Sequence, residues 1–474
     1  MSETAKKLEA KHTVHPSILR AYDIRGEVGK TLFEVDAYHI GRAFASHAAR
    51  QSGNKNPSIA IGYDGRVSSP SMAKAVIQGM VESGAKVINV GLGPTPMLYF
   101  ATKHWKLDGG IMITGSHNPP SHNGFKMMLQ HASIYGDIIQ QFGKTMSAGD
   151  YTNGQGSEES RSVEKDYINA LVQEIAGSPA FDIAWDPGNG AACEIMQGLI
   201  KKLPGTNHAI NTKIDGTFPS HAPDPTVEKN LEQLKQLVKK HQSGVGIAFD
   251  GDGDRIGVVD DKGRMVAGDQ LLVILARDVL KAKPGAPIIA DVKASKVFFD
   301  AVKKDGGKPV MWKTGHSLVK TKMAEEKAPL AGEMSGHIFF ADRYYGFDDG
   351  LYAAVRLIKI LAGHKQTLSQ MIDELPKTFT TPEMRIECKE ERKFAIVEEI
   401  KKRAKASGQQ FNDIDGIRVD SAEGWWLIRS SNTQAALSAR AEAVSEAALK
   451  KLVAHMEAEL KTSGIDIHHA ADHH

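Results

Sequence analysis

The stretch GGIMITGSHNPPSHNGFK, residues 109–126, joins an apolar run to a long polar loop. GGIMITG has the length and apolar content of a buried strand, so Ser116 should lie just past its carboxyl end. Ligands of open α/β sheets bind at that end of the strands. The loop contains no acidic residue. A phosphoryl group on Ser116, with about −1.5 to −2 charges, would therefore meet no carboxylate in its own loop.

The same loop has a structural interpretation, because an SHNP turn is equally compatible with hydrogen-bonded loop structure. A hydrolase nucleophile elbow, by contrast, requires glycine on both sides of the serine in the order G-x-S-x-G. This chain has Thr114 and Asn118 at those positions. The pattern therefore argues against a lipase-type triad.

The preceding segments alternate predicted strands and helices. PSIAIGYDGR, residues 57–66, predicts a strand that runs into a loop, and AKVINVG, residues 85–91, predicts another strand. Between them, SSPSMAKAVIQGMVESG predicts a helix with Ser69 as N-cap, Pro70 at its first position and Gly84 just past its end. This order is typical of an α/β domain.

A chain of 474 residues is too long for one core, and we expect four domains. The expected bounds are 1–160, 161–264, 265–376 and 377–474, with the polar stretch 147–160 as a linker or surface loop. The first three share a βα character, and each places a polar loop after a strand. In the later domains we predict helices near 224–241, 269–283 and 441–461.

The segment SGVGIAFDGDGDRIGVVDDKG, residues 243–263, predicts two strands joined by an acidic turn. Asp250, Asp252 and Asp254 alternate with glycines, and such converging carboxylates usually hold Mg²⁺ or Ca²⁺. An EF-hand would need glycine where Arg255 stands, and helices on both sides. A solvated acidic turn is the alternative for the triplet alone. Because Mg²⁺ often binds a phosphate oxygen as well, a phosphorylated Ser116 is the expected further ligand.

Two cations flank these loops. Lys126 and Arg255 could each neutralise charge on a phosphoryl group during its transfer. Ordinary surface charge is the alternative interpretation of any single lysine or arginine.

Two further loops carry polar groups suited to a sugar phosphate. In GEMSGH, residues 332–337, Glu333, Ser335 and His337 would point to one side of an extended chain and suit the vicinal hydroxyls of a sugar. RSSNTQ, residues 429–434, offers a guanidinium, hydroxyls and an amide for a phosphate. A buried hydrogen-bonded turn and a solvated loop are equally compatible with these two patterns. Trp425 and Trp426 are assigned to packing.

The bulk composition excludes several classes of protein. A net charge of +2 indicates neither a nucleic-acid partner nor an anionic membrane. Cys193 and Cys388 have no metal-type spacing and are predicted to be core thiols in a reducing compartment. The first twelve residues have no signal-peptide core, so we expect a cytoplasmic location. The His-rich end, residues 465–474, is interpreted as a disordered or added tail rather than a metal site.

Together with AYDIRG at residues 21–26, these four loops, in this order, strongly resemble those of the α-D-phosphohexomutase superfamily. Their residue sequences are most similar to its bacterial phosphomannomutase/phosphoglucomutase branch. The resemblance runs from about residue 19 to about residue 433. It implies an α/β fold of four domains around a central cleft: three related mixed α/β domains and a divergent α+β C-terminal domain. It also implies transfer of a phosphoryl group between O1 and O6 of a hexose, through a phosphoserine and a 1,6-bisphosphate.

The resemblance assigns roles residue by residue. Ser116 would be the phosphoserine, and Asp250, Asp252 and Asp254 would bind Mg²⁺ together with its phosphoryl oxygen. Glu333 and Ser335 would contact the sugar hydroxyls, with His337 close by. The remaining implied contacts are those of the phosphate that is not transferred (Arg429, Ser431, Asn432 and Thr433) and those that line the cleft (Tyr22, Arg25, Lys293 and His316). For the proton transfers we favour Lys126 and His316 over Glu333, with Arg255 stabilising charge.

The implied substrates are mannose and glucose phosphates, with glucose 1,6-bisphosphate as activator and a monomer or weak dimer as the expected state. The phosphate loop departs from the family pattern, because SSNTQAAL lacks the proline that many relatives have there, and residues 1–15 have no counterpart. A phosphoglucosamine mutase would usually have glutamine in place of Met334 and SGT in place of SNT. A non-catalytic sugar-phosphate sensor on the same fold and a metal-dependent phosphatase are two further hypotheses.

Overall fold

The structure of this chain is a computed structural model that describes residues 11–431 and 435–465. The chain forms two compact units. The first comprises Met1–Ala267 and Ser335–Leu368, and the second comprises Gly268–Met334 and Ser369–His474. Within the described segments, no helix combines the length and the apolar character needed to span a bilayer.

The first unit opens with a mixed sheet and four helices, preceded by a short 3₁₀ turn at Pro16–Ile18. Its elements are β1 (Ile24–Glu27), α1 (Glu34–Ser52), β2 (Ser58–Tyr63), α2 (Ser69–Glu82), β3 (Lys86–Leu92), α3 (Thr95–His104), β4 (Gly109–Ile113), β5 (His122–Leu129), β6 (Ala132–Ser133), α4 (Asp137–Ala148) and β7 (Ser157–Ser160). The strand order is β1-β5-β4-β2-β3-β7, with β6 on β5. Every residue of β4 is buried, as expected for a strand covered on both faces.

A second sheet follows in the same unit. Its elements are α5 (Glu164–Ile175), β8 (Ile183–Asp186), α6 (Cys193–Ile200), β9 (Asn207–Ala209), a 3₁₀ turn (Glu228–Leu231), α7 (Glu232–His241), β10 (Val245–Phe249), β11 (Ile256–Asp260) and β12 (Met265–Val266). The strand order is β12-β11-β10-β8-β9. β10 and β11 form an antiparallel hairpin whose last pair is Phe249 and Ile256. The six residues 250–255 are the hairpin loop, so no helix flanks the aspartates and the rejection of an EF-hand is confirmed.

The second unit begins with α8 (Gly268–Ala282), β13 (Pro287–Asp291), α9 (Lys296–Lys304), β14 (Lys308–Trp312), α10 (His316–Glu326) and β15 (Leu330–Gly332). β13 lies between β14 and β15 and is parallel to both. The chain then returns to the first unit with β16 (Ile338–Phe340) and α11 (Gly350–Ala362). It passes back to the second unit within α12 (Leu368–Asp373).

One strand order recurs in the three sheets. In the first, β2 lies between β3 and β4 and is parallel to both, and β5 is antiparallel to β4. In the second, β8 lies likewise between β9 and β10, with β11 antiparallel to β10. β13 occupies the same place between β14 and β15. Ser116, Asp250 and Glu333 all follow the third strand of this pattern, so the three predicted loops have equivalent positions.

The last part of the second unit is an antiparallel sheet with two helices. Its elements are β17 (Phe379–Thr380), β18 (Met384–Glu387), α13 (Lys393–Ala406), β19 (Ile417–Asp420), β20 (Gly424–Ser430), β21 (Ala436–Ala443) and α14 (Glu446–Thr462). β21 pairs with β17, β18 and β20. Trp425 and Trp426 on β20 are fully buried, which confirms their packing role. This α+β arrangement differs from the three preceding sheets, as predicted.

Several local predictions are wrong. The N-cap of α2 is Ser68, and Ser69 is already helical with its hydroxyl donated to Asp64. The stretch 147–160 is not a plain linker, because it contains the end of α4 and strand β7. Cys193 is buried, but Cys388 is only half-buried rather than a core residue.

Two predicted helices begin later than expected. The helix expected from residue 224 begins at Glu232, because the Asp224 carboxylate accepts hydrogen bonds from the amide and hydroxyl of Thr226 and holds a turn instead. The helix expected from residue 441 begins at Glu446, since residues 436–443 form β21 and are buried throughout. Packing on both faces outweighs the helix propensity of its alanines.

Candidate active site

Ser116 lies in the loop between β4 and β5, where it is 1% exposed. Its backbone has a φ of +50°, in the left-handed region that non-glycine residues seldom adopt. The Ser116 amide donates to Thr114 Oγ1 at 2.8 Å, and the Ser116 hydroxyl donates to Asp250 Oδ2 at 2.8 Å. The predicted nucleophile therefore contacts the predicted metal loop directly.

The hairpin loop holds three buried carboxylates. Asp250, Asp252 and Asp254 are each fully buried, and one oxygen from each lies within 4.8 Å of the others. The amides of Gly253 and Arg255 donate to Asp250 Oδ1 at 3.0 and 3.2 Å and fix its orientation. Burial raises the pKa of Asp250 well above its usual range, and the two neighbouring carboxylates raise it further. The cluster is electrostatically incomplete without a cation.

Lys126 supplies one cation to this cluster. It lies on β5 opposite Met112 of β4, and its side chain is 3% exposed. The Lys126 ammonium donates to Asp252 Oδ2 at 2.7 Å and also to Asp254 Oδ2. Burial disfavours its charge, but Asp252 and Asp254 outweigh burial and raise the pKa of Lys126 above its ordinary value. Lys126 is therefore cationic in this arrangement.

The aspartates also fit a divalent ion. Asp252 Oδ1 is buried and accepts no hydrogen bond from the described residues, although its other oxygen binds Lys126 and the Thr95 hydroxyl at 2.5 Å. Three hard carboxylate oxygens suit Mg²⁺ or Ca²⁺. A second group within 4.8 Å is formed by Asp254, His337 and Asp348. Its imidazole suits a transition metal better, so the all-oxygen triplet is the better magnesium site.

Arg255 and His337 lie beside the triplet. Arg255 Nε is 4.0 Å from Asp250 Oδ2 and donates to His337 Nε2 at 3.3 Å. His337 Nε2 is also 3.3 Å from Asp254 Oδ1, while His337 Nδ1 is 3.0 Å from the Ser335 hydroxyl. Residues 333–337 are not extended and the alternative of a turn applies, because residues 334 and 335 form a turn and Gly336 has a φ of +84°. His337 therefore belongs to the surroundings of the aspartates.

The AYDIRG residues lie on the other side of the serine loop. Arg25 is on β1, opposite Gly124 of β5, and its guanidinium donates to Asn118 Oδ1 at 3.3 Å. Asp23 accepts from Arg25 at 2.6 Å and fixes that guanidinium. Tyr22 is half-buried in the bend before β1. Arg25 therefore contacts the loop of Ser116, while the expectation that Tyr22 and Arg25 line a cleft stays a prediction.

The second unit groups three of the other predicted residues. Glu333 accepts a 2.6 Å hydrogen bond from the amide of Gly315, which directly precedes His316 at the start of α10. His316 is 8% exposed, and its Nδ1 lies 3.2 Å from Lys320 Nζ. Lys293, in the turn after β13, donates to Glu383 at 3.0 Å.

Charges within this group perturb two carboxyl groups. Burial raises the pKa of Asp291 to about 7, although Lys293 Nζ lies 3.9 Å away. Burial also opposes the charge of Glu383, but Lys293 outweighs it and lowers the pKa of Glu383 to about 2. Lys293 thus lies between one carboxyl group with a raised pKa, Asp291, and one with a lowered pKa, Glu383.

The phosphate loop follows β20. Arg429 Nε donates to Asp415 at 2.9 Å, and Asp415 also accepts from the Thr314 amide at 3.0 Å, which connects this loop to the TGHS segment. Ser431 is half-buried. Asn432 and Thr433, which were predicted to bind the same phosphate, lie outside the described residues.

Sequence reasoning missed the residues that support the site. Asp64, Arg66, Thr95, Asp348 and Asp415 are buried or half-buried polar side chains beside the predicted ones. For Asp64 and Arg66, the DGR sequence at residues 64–66 could have indicated a role, because two charged residues follow a buried strand there.

The four domain models of the phosphoglucomutase/phosphomannomutase family match this chain in order. Alpha/beta/alpha domains I, II and III match residues 16–148, 165–263 and 267–379, and the C-terminal domain matches residues 383–459. The chain is 42% identical over 440 residues to phosphomannomutase/phosphoglucomutase of Pseudomonas aeruginosa, covering 93% of this chain and 94% of that protein. It is 40% identical to phosphoglucomutase of Neisseria gonorrhoeae, covering 92% and 95%.

Among solved structures, a phosphoglucomutase/phosphomannomutase family protein from Burkholderia thailandensis is similar to this chain with a TM-score of 0.90 and 41% identity. The match covers 95% of this chain and 98% of that one. The similarity therefore extends over nearly the whole length of both proteins.

Proposed function

Because this chain belongs to the phosphoglucomutase/phosphomannomutase family, we propose that it interconverts the 1-phosphates and 6-phosphates of mannose and glucose. The proposed route passes through a phosphorylated Ser116 and a hexose 1,6-bisphosphate. The observation that carries the proposal is the 2.8 Å hydrogen bond from the Ser116 hydroxyl to Asp250, within a buried aspartate triplet. This bond puts the serine oxygen beside the carboxylates that would hold the metal ion.

Asp250, Asp252 and Asp254 are the proposed ligands of Mg²⁺. When bound, the ion would neutralise charge on the phosphoryl oxygens and so favour displacement at phosphorus. Their mutual distances, burial and oxygen chemistry support this assignment. Glucose 1,6-bisphosphate is the proposed activator, since it can phosphorylate a Ser116 that has lost its phosphoryl group.

In the proposed first step, a hydroxyl oxygen of the sugar phosphate attacks the phosphorus on Ser116. The new O–P bond forms as the P–Oγ bond breaks, the sugar hydroxyl loses its proton to a base, and the serine oxygen regains one from an acid. The bisphosphate then reorients, and Ser116 takes back the other phosphoryl group by the reverse exchange.

The ion pairs of Lys126 change the order of candidates for the proton transfers. A lysine that is held cationic by two carboxylates stabilises charge better than it accepts a proton. We therefore propose Lys126 and Arg255 as charge-stabilising groups. His316, with Glu333 beside it through Gly315, is the stronger candidate for acid or base.

The remaining predicted contacts stay proposals. Glu333, Ser335 and His337 are proposed to bind sugar hydroxyls, while Arg429 and Ser431 are proposed to bind the phosphate that is not transferred, with Tyr22, Arg25 and Lys293 as further substrate contacts. The cytoplasmic location, the monomeric or weakly dimeric state and the four domain bounds likewise remain predictions.

The test is a coupled assay of mannose 1-phosphate and glucose 1-phosphate with Mg²⁺ and glucose 1,6-bisphosphate. We expect Ser116→Ala to lower kcat by at least about three powers of ten, since it removes the nucleophile. Ser121→Ala is the matched control, because Ser121 is an exposed serine of the same loop. Equal rates for wild type and Ser116→Ala would refute the phosphoserine route. Release of inorganic phosphate without isomerisation would indicate a phosphatase instead.

A further inference from the structure

Arg66 is a buried arginine directed at the backbone of the serine loop. It lies in the loop after β2, and its side chain is 0% exposed. Each guanidinium nitrogen donates at least one hydrogen bond: Nη1 to the carbonyls of Pro119 (2.6 Å) and His122 (2.9 Å), Nη2 to those of Ser116 (2.7 Å) and Asn118 (2.6 Å), and Nε to Asp64 (3.1 Å). Four of its five acceptors are therefore main-chain carbonyls of residues 116–122.

This arrangement requires an arginine. The planar guanidinium has five donors in a fixed geometry, whereas a lysine ammonium has three and forms no fork. Of the four carbonyls, that of Ser116 accepts in a buried hydrogen bond and the other three accept in part-buried ones, so without Arg66 they would lose these donors. A lysine at position 66 would keep the charge but leave some of them unsatisfied.

The contact with Ser116 falls at a strained point of the backbone. A left-handed conformation is unfavourable for a non-glycine residue, so surrounding contacts must hold it. The Ser116 amide is held by Thr114 and the Ser116 carbonyl by Arg66, which fixes the peptide groups on both sides of its Cα atom. The direction of the Ser116 side chain towards Asp250 depends on this conformation.

Arg66 is itself held in place. Asp64 Oδ1 accepts from the Arg66 amide at 3.0 Å, and Asp64 Oδ2 also accepts from the Gly115 amide at 3.1 Å. The Phe218 ring lies over the guanidinium, 5.2 Å from ring centroid to Cζ. The space beside Gly115 is equally specific, because a Cβ atom there would lie 2.4 Å from Arg66 Cζ. Only glycine lets the guanidinium approach the loop so closely.

We propose that Arg66 is a positioning residue for phosphoryl transfer, which fixes the main chain of residues 116–122 so that the Ser116 oxygen stays aligned with Asp250 in both its free and its phosphorylated form. This inference rests on the proposed function. Arg66 acts through the loop and is not proposed to touch the substrate. Its loss should therefore slow the chemical step while leaving substrate binding nearly intact.

The test compares Arg66→Lys with Arg356→Lys. Arg356 is equally buried in the first unit and pairs with Asp342 at 2.7 Å, so it controls for the general cost of replacing a buried arginine. Since misplacement of a reacting group by about 1 Å can cost about a hundredfold in rate, we expect Arg66→Lys to lower kcat by about 10- to 100-fold. KM should change less than about threefold, and Arg356→Lys should keep the wild-type kcat.

A second readout follows the serine directly. Unphosphorylated enzyme is mixed with glucose 1,6-bisphosphate, and the gain of a phosphoryl group is timed by intact-protein mass. We expect Arg66→Lys to be phosphorylated about 10- to 100-fold more slowly than Arg356→Lys. Equal kcat and equal phosphorylation rates in the two variants would overturn the inference. So would a loss confined to KM.

If Arg66→Lys does not fold, Gly115→Ala decides the question, because it keeps Arg66 and displaces its guanidinium. The same fall in kcat with unchanged KM supports the inference, and wild-type kinetics overturn it. The proposed function fails separately. It is refuted by inactivity of the wild type or full activity of Ser116→Ala, whereas the inference fails when the wild type and Ser116→Ala behave as expected and Arg66 proves dispensable.

Discussion

Replacing Lys126 by methionine should destabilise the aspartate triplet in a way that Mg²⁺ partly reverses. Lys126→Met keeps most of the volume of the side chain but leaves Asp252 and Asp254 without their ammonium partner. Removing one member of a buried ion pair costs about 3–5 kcal/mol, because the remaining charge is buried alone. We expect a loss of this size in the presence of EDTA.

The assay is native-state hydrogen exchange, which reports local opening in a chain of several domains. The amides of β5, which carries Lys126, and of β10, which leads into the aspartate loop, should exchange faster by about two to three and a half powers of ten. Saturating Mg²⁺ should reduce this difference in exchange rate between the variant and the wild type. If the Lys126 ammonium lowers the affinity for Mg²⁺ tenfold in the wild type, Mg²⁺ should stabilise the variant by about 1.4 kcal/mol more than it stabilises the wild type.

Lys393→Met is the matched control. Lys393 is equally buried, but its partner Glu390 is exposed and it lies in no aspartate cluster, so its variant should show no response to Mg²⁺ beyond that of the wild type. Wild-type exchange for Lys126→Met in EDTA would refute the ion-pair argument. A deficit that Mg²⁺ leaves unchanged would refute the view that ammonium and metal ion share the same carboxylates.

Two further predictions concern buried polar side chains of the first unit, Tyr167 and His39. Tyr167→Phe should lower the local free energy of opening at α11 by about 1–3 kcal/mol in hydrogen exchange, because the Tyr167 hydroxyl lies 2.9 Å from both oxygens of buried Asp349, whose pKa burial raises to about 7. Burial lowers the pKa of His39 to about 4, below its ordinary 6.5, so the unfolded chain binds more protons between these values. The thermal midpoint should therefore fall as the pH falls from 6.5 to 4, and it should fall less steeply in His39→Gln.

Exposed residues of the same types provide the controls. Tyr345 is 42% exposed, and Tyr345→Phe should leave the exchange of α11 unchanged. His104→Gln, at a side chain that is 41% exposed, is the matched histidine variant. An equal loss in both tyrosine variants, or equal slopes in His39→Gln and the wild type, would contradict the respective prediction.

The parts of the site that sequence reasoning predicted are those with a local cause. A buried apolar run predicts a strand, and the residues just past it must then lie at the strand end, which places Ser116 and Asp250 correctly. The contact between them, across 134 residues, was inferred only from chemistry, since a phosphorylated serine and a metal need one another. That inference agrees with the hydrogen bond in the structure.

The parts that were missed depend on long-range contacts. Arg66 binds carbonyls 50 to 56 residues away, and carbonyls leave no trace in a sequence. Alternation of polar residues in GEMSGH is compatible with both an extended chain and a turn, and only the φ of Gly336 separates the two. Residues 441–443 were predicted to begin a helix, while their burial on both faces in β21 is a property of the whole sheet.

The recurring strand order has a consequence for how such an enzyme can change. Three sheets share the same strand order, and the sequence that follows the third strand decides whether the loop there carries Ser116, the three aspartates or Glu333. Because these insertions lie outside the ladder hydrogen bonds, one can be rewritten or exchanged without rebuilding the sheet beneath it. Under the proposed function, engineering for new substrates can therefore begin at the loop of Glu333 while the loops of Ser116 and Asp250 are left unchanged.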